Sequence, residues 1–187
     1  MSRIVVAGVV LLGLAACAAP QRRASPMLND ARLSAMSERA QERQKTDPAG
    51  PAMRRMLSNR TRVTMGGGHG VQVSYATPDG RIYLWYPGNR EVLAGRWRIV
   101  ESNAVVRTRT SAYEFPQTRV CFDYGMNSYN PVTRKSGEEC MHAAIMKMFA
   151  GQSVAGDRFG LSRRKAVPHV LKPTDRIDLG AGSAGGR

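Results

Sequence analysis

The chain has 187 residues, with 28 Lys and Arg against 14 Asp and Glu and a formal net charge of +14. That length suits one modest domain with flexible flanks and excludes two full-sized ones. The surplus is densest in the flanks: 10 basic and 4 acidic side chains lie in residues 1–60, 11 and 7 in 61–150, and 7 and 3 in 151–187, with no basic run longer than Arg163-Arg164-Lys165.

The N-terminal stretch carries one positive side chain, Arg3, and then an unbroken apolar segment from Ile4 to Ala16. Such a segment is a secretory h-region. It is too short for an ordinary membrane span, which needs roughly 20 apolar residues. At its end stand Leu14-Ala15-Ala16-Cys17, and on these four residues the leader resembles that of bacterial lipoproteins. The resemblance implies cleavage just before Cys17 and acylation of its sulfur and new amino group. Small residues before the scissile bond and a nucleophilic thiol are what that chemistry needs. Each buried methylene contributes about 0.8 kcal/mol, so two or three acyl chains make the anchor effectively permanent. An ordinary signal peptide cut nearby is the plainer alternative, since Ala16 and Ala18 are small as well. In lipoproteins an aspartate after the lipidated cysteine retains the protein in the inner membrane; Ala18 stands there, which favours the outer membrane.

Residues 17–27 are small, polar and proline-bearing, as suits a tether. Residues 28–57 read as helical. Asn29 and Asp30 can cap a helix whose apolar stripe is Leu33, Met36 and Ala40, residues 46–51 break it, and Pro51 suits a first position in a second helix.

From residue 58 to 171 the texture is that of a β domain. Strands are expected at 61–65, at 71–75, where Val71, Val73 and Tyr75 alternate with Gln72 and Ser74, and at 81–86. In 81–86, Ile82, Leu84 and Tyr86 share one face and Tyr83 and Trp85 the other, so the strand should be covered on both sides. Pro78-Asp79-Gly80 and Pro87-Gly88-Asn89 are turns. Further strands fit 95–101, 105–110 and 120–124, followed by an exposed loop and a segment from Cys140 that begins as a strand and is ambiguous beyond. The tail, 172–187, has too little apolar content to fold alone. The fold expected is mainly β: a small antiparallel barrel or sandwich behind one or two helices.

With Cys17 assigned to lipid, Cys121 and Cys140 are left as an even pair in an oxidising compartment, where they should form a disulfide. The elements LSNRT at 57–61, Asp79-Gly80, Gly95-Arg96-Trp97, Cys121-Phe122-Asp123-Tyr124 and Glu139-Cys140-Met141 resemble a group of small secreted bacterial domains of unknown function. The resemblance implies a compact antiparallel β domain with one disulfide and no known activity. The long interval between Trp97 and Cys121 departs from that pattern.

Several constellations invite chemistry. GGGHG at 66–70 looks like an oxyanion loop, but no G-x-S-x-G elbow accompanies it, and a hairpin connection is the plainer reading. Cys140 and His142, two apart on a strand, point the same way and suggest a thiol and its base, or metal ligands with Cys121; both uses need reduced cysteines. Glu138 and Glu139 are adjacent and should point to opposite faces, which suits no paired acid and base. Tyr83, Trp85 and Trp97 are candidates for a sugar-stacking groove, with core packing as the alternative. Arg163, Arg164 and Lys165 are candidate anion contacts. No cofactor or metal is expected. The leading expectation is a non-enzymatic cell-envelope lipoprotein on the periplasmic face of a bacterial membrane, a binding or structural module whose partners are the membrane and peptidoglycan or another envelope protein. Export argues against nucleic acid despite the charge. A hydrolase of an envelope component with His69 or His142 as base, and an anion-binding module, are the alternatives.

Overall fold

A computed structural model describes residues 29–66, 68–126, 128–130 and 132–180; the leader and tether expected at 1–27 lie outside the described residues. Helix α1 spans Asp30–Thr46. Asn29 Oδ1 accepts the Arg32 amide at 2.9 Å, and Asp30 in the first turn with Arg43 and Lys45 in the last complements the helix dipole. The expected stripe proves thin: Leu33 is buried while Met36 is 43 % exposed. Polar contacts therefore help hold the helix, with Ser37 Oγ donating to the Glu114 carbonyl at 2.5 Å and Thr110 Oγ1 donating to Asp30. Helix α2, Ala49–Leu57, begins two residues before Pro51, and Pro48 occupies its N-cap position without a side-chain capping bond. Pro51 is tolerated there because first-turn amides have no intrahelical acceptor to lose.

Seven strands follow: β1 Arg60–Gly66, β2 Gly70–Ala76, β3 Arg81–Trp85, β4 Leu93–Arg107, β5 Ala112–Asp123, β6 Glu138–His142 and, after helix α3 at Ala143–Met148, β7 Gln152–Ala155. They form one sheet in the order β6-β5-β4-β3-β2-β1-β7, with every neighbouring pair antiparallel. The strands expected at 95–101 and 105–110 are a single strand, β4, and β5 begins at Ala112, well before the expected Val120. The turn between them, Thr108–Ser111, closes through the Thr108 amide on the Ser111 carbonyl at 2.8 Å and the Ser111 amide on Thr108 Oγ1 at 3.0 Å. Hydroxyls do there what glycine or proline does elsewhere. Pro116 sits inside β5 without cost, because β6 pairs only with Arg119–Asp123 and leaves that stretch an edge.

The expected barrel or sandwich narrows to one open sheet, since β6 and β7 are its unpaired outer edges. The sheet must nevertheless curl. Six strand spacings of about 4.8 Å would separate the edges of a flat sheet by roughly 29 Å. The connection from His142 to Gln152 spends most of its residues on α3, which rises only about 1.5 Å per residue. The curl gives an inner and an outer face. Inside, Met53 and Leu57 of α2 and Ala143 and Met146 of α3 pack on Ala76, Ile82, Trp97 and Val120. Outside, Val71, Val73, Tyr75 and Trp85 are covered by Leu161 and Leu171 from the chain after β7.

That covering corrects the expectation of an unstructured tail from residue 172. Ile177 packs on the outer core and Leu179 is buried. The Pro173 carbonyl accepts the Val71 amide at 3.0 Å beside Gly70, where a Cβ would stand 2.3 Å from that oxygen. Residues 181–187 lie outside the described residues. Among the described residues, no helix is long and apolar enough to cross a membrane.

Candidate functional site

The residues singled out from sequence scatter over this fold. Cys17 lies outside the described residues. Cys121 and Cys140, directly opposed on β5 and β6, are joined as a disulfide. Their sulfurs and a Glu138 oxygen lie within 4.8 Å of one another, but bonded sulfurs cannot ligate a metal and Glu138 is engaged by Arg98 through two bonds of 2.8 and 2.7 Å. The disulfide equally removes the thiol that a base at His142 would need. His142 instead caps α3, its Nδ1 accepting the Ala144 amide at 3.2 Å.

The proposed stacking groove of Tyr83, Trp85 and Trp97 does not form. Trp85 is buried in the outer core and Trp97 in the inner one, so the sheet itself separates the two indoles. Each has its ring N–H satisfied, on the His169 carbonyl at 2.8 Å and the Thr77 carbonyl at 3.0 Å respectively. Tyr83 stacks on Tyr75 at the outer face. Arg163, Arg164 and Lys165 are exposed at the end of a short 3₁₀ turn, and Lys165 stands 3.4 Å from Glu91. An ion pair that exposed contributes little.

What the fold does assemble is a groove of about 750 Å³ on the inner face, between the curled sheet and α3. Its wall includes a row across four strands of the sheet: Arg62 of β1 opposes Ser74 of β2, Ser74 opposes Leu84 of β3, and Leu84 opposes Leu93 of β4. Directly opposed residues share a face, so the row runs from a guanidinium through a hydroxyl to two leucines. Phe122 of β5, Met146 of α3 and Phe149 at the end of α3 also line it. His69, tilted against Tyr86 with ring centroids 4.9 Å apart, and His142 also line the groove.

Arg62 is the unusual member. It is only 5 % exposed. One guanidinium nitrogen, Nη2, donates to the Phe149 and Ala150 carbonyls at 3.4 and 3.2 Å, while Nε is buried without a partner. Every Asp and Glu of the chain is among the described residues, and none is within ion-pair distance of it. Burial holds the Arg62 guanidinium below its ordinary value, partly opposed by Tyr124. The Tyr124 phenol, in turn, is pushed well up by burial and drawn slightly back by Arg62. An unneutralised buried charge is costly, and proteins ordinarily pair it or bind a counter-ion there. Two half-buried arginines, Arg119 and Arg158, also have an unpartnered Nε, and Arg119 lines the same groove.

Sequence reasoning passed over Arg62 for a definite reason. The alternation that marks Val71, Val73 and Tyr75 as buried assigns Gln72 and Ser74 to water, and Arg62 falls on their side of the sheet. The missed signal was Arg62 and Thr64 inside a strand with valine at 63, which the curl folds inward.

The fold and site thus define a mainly β protein built on one open, curled antiparallel sheet, with a cationic-to-apolar groove on its inner face. No protein-family model, curated protein or solved structure matches the chain.

Proposed function

We propose that this is a non-enzymatic lipoprotein of the bacterial cell envelope, held by acyl groups on Cys17 at the periplasmic face of a membrane, the outer one favoured, and that its folded part is a binding module. The observation that carries the reading is the distribution of the three cysteines. Cys17 closes the Leu14-Ala15-Ala16-Cys17 pattern behind an apolar leader, and the remaining two are spent on one disulfide. A disulfide across β5 and β6 fits a protein that folds outside the reducing cytosol. The groove of about 750 Å³ falls within the roughly 300–1,000 Å³ range of ligand pockets, which supports binding as the role. The basic flanks add attraction to anionic head groups or to peptidoglycan carboxylates, at about 1 kcal/mol per cationic side chain near the surface.

Mass spectrometry of the mature protein from whole bacteria tests this. The expected result is an N terminus at Cys17 carrying acyl chains, and retention in the membrane fraction that Cys17→Ser abolishes. An unacylated mature N terminus, together with two free thiols at 121 and 140, contradicts it.

A further inference from the structure

We propose that the inner groove binds an amphiphile with a single anionic head group, a carboxylate or a phosphate ester, seated on Arg62 with its apolar chain lying across the strands toward Leu93. This rests on reading the folded part as a binding module and names its ligand class; it does not depend on the anchor at Cys17.

Three observations converge. Arg62 lines the groove, is buried with an Nε that has no partner, and has no Asp or Glu within ion-pair distance among the described residues, which include every Asp and Glu of the chain. A guanidinium offers donors in a fork that fits carboxylate and phosphate oxygens, and such bonds strengthen where water is excluded. Next, the row Arg62, Ser74, Leu84, Leu93 orders the wall from charged to apolar over three strand spacings, about 14 Å. A small inorganic anion would leave the leucine end of that row unused, and a neutral apolar ligand would leave the guanidinium uncompensated. Finally, the two acidic residues that line the groove are already engaged: Glu138 is paired with Arg98, and Glu139 accepts from Asn130 and Thr133. They do not neutralise Arg62.

Arg62 also ties β1 to the end of α3 through the Phe149 and Ala150 carbonyls, so the test must separate binding from structure. The full chain carrying Cys17→Ser, which changes no described residue, is titrated calorimetrically below micellar concentrations with dodecanoate, dodecyl phosphate, dodecanol, dodecyltrimethylammonium and acetate. Dodecanoate or dodecyl phosphate should bind at least about tenfold more tightly than dodecanol or the alkylammonium, as one charge-assisted contact implies. The tighter of the two anions identifies the head group. Arg62→Gln should bring both anions down to the affinity of dodecanol and leave dodecanol unchanged. Ser74→Asp keeps Arg62 and places a carboxylate directly opposite it. It should raise the melting temperature and cost the anions the same factor of about ten, so it carries the test alone if Arg62→Gln does not fold.

Equal binding of dodecanol and the anions, acetate matching dodecanoate, or anion affinity untouched by Ser74→Asp in the folded protein overturns the inference. So does a folded protein that takes none of the probes. Acylation of Cys17 is read from a different measurement and stands or falls separately.

Discussion

The two faces of one sheet are finished in different ways. The outer face is closed by the protein's own chain: residues after β7 return to lay Leu161 and Leu171 over Val71, Val73 and Trp85, and the Trp85 indole finds its acceptor on that same segment. The inner face is closed only in part. Helices α2 and α3 cover Ile82, Trp97 and Val120, but over the Arg62–Leu93 row they leave a groove. The outer face thus works as a core, and the inner face gives up part of its packing to hold a charge that no acidic side chain among the described residues neutralises.

The comparison can be broken by substitution, and the largest effect belongs outside. Trp85→Ala should cost about 3–5 kcal/mol in urea unfolding, the range for removing a buried indole that its surroundings cannot refill. If Trp85→Ala costs under 1 kcal/mol, the outer face is not the core described. Reducing the Cys121–Cys140 bridge, or replacing both cysteines with serine, opens a loop spanning a sequence separation of 19 and should cost about 3 kcal/mol on the chain-entropy model. The loss should appear as a lower denaturant midpoint, with far-ultraviolet circular dichroism unchanged at zero denaturant.

Inside, Arg62→Met is expected to change stability by no more than about 1 kcal/mol. Relief of the buried charge offsets the two carbonyl contacts that are lost. The smallest effect sits in the turn that joins β2 to β3. Bonds from Arg81 and Thr77 hold the Asp79 carboxyl at about 2, below its ordinary 3.8. A depressed folded-state value means the contribution is fully present above about pH 4 and fades as pH falls toward 2. The stability difference between the wild type and Asp79→Asn should therefore be present at pH 5 and shrink as the pH approaches 2. A difference independent of pH over that window would assign it to something other than the carboxylate charge.

How much of this was legible follows from how local each cause is. Pro78-Asp79-Gly80 announces its turn because the chemistry is local, with Gly80 at φ 86° and Thr77 Oγ1 taking the Arg81 amide at 2.9 Å. Two-sided burial of 81–86 was readable from its composition, and Ile82 and Trp85 do enter opposite cores. Strand β7 was not legible, since QSVA is four residues long and its pairing with Thr61–Val63 depends on a partner some ninety positions away. The tail was misjudged for a similar reason: Ile177 is isolated in sequence but meets a surface already built by β1 to β3, and Leu179 is buried as well. The aromatic groove failed because residue type says nothing of which side of the sheet an indole enters. The groove that exists was hidden because a polar strand face reads the same whether it meets bulk water or a curled interior.

The most direct measurement is urea unfolding of the wild type and Arg62→Met, each with and without dodecanoate at a concentration about 100 times the wild-type dissociation constant. Without ligand the two should unfold within about 1 kcal/mol of each other. Added dodecanoate should stabilise the wild type by about 2.7 kcal/mol and Arg62→Met by about half as much, as a tenfold weaker site requires. Equal stabilisation of both proteins, or a ligand-free loss in Arg62→Met as large as that of Trp85→Ala, would make Arg62 a structural clamp and contradict the account.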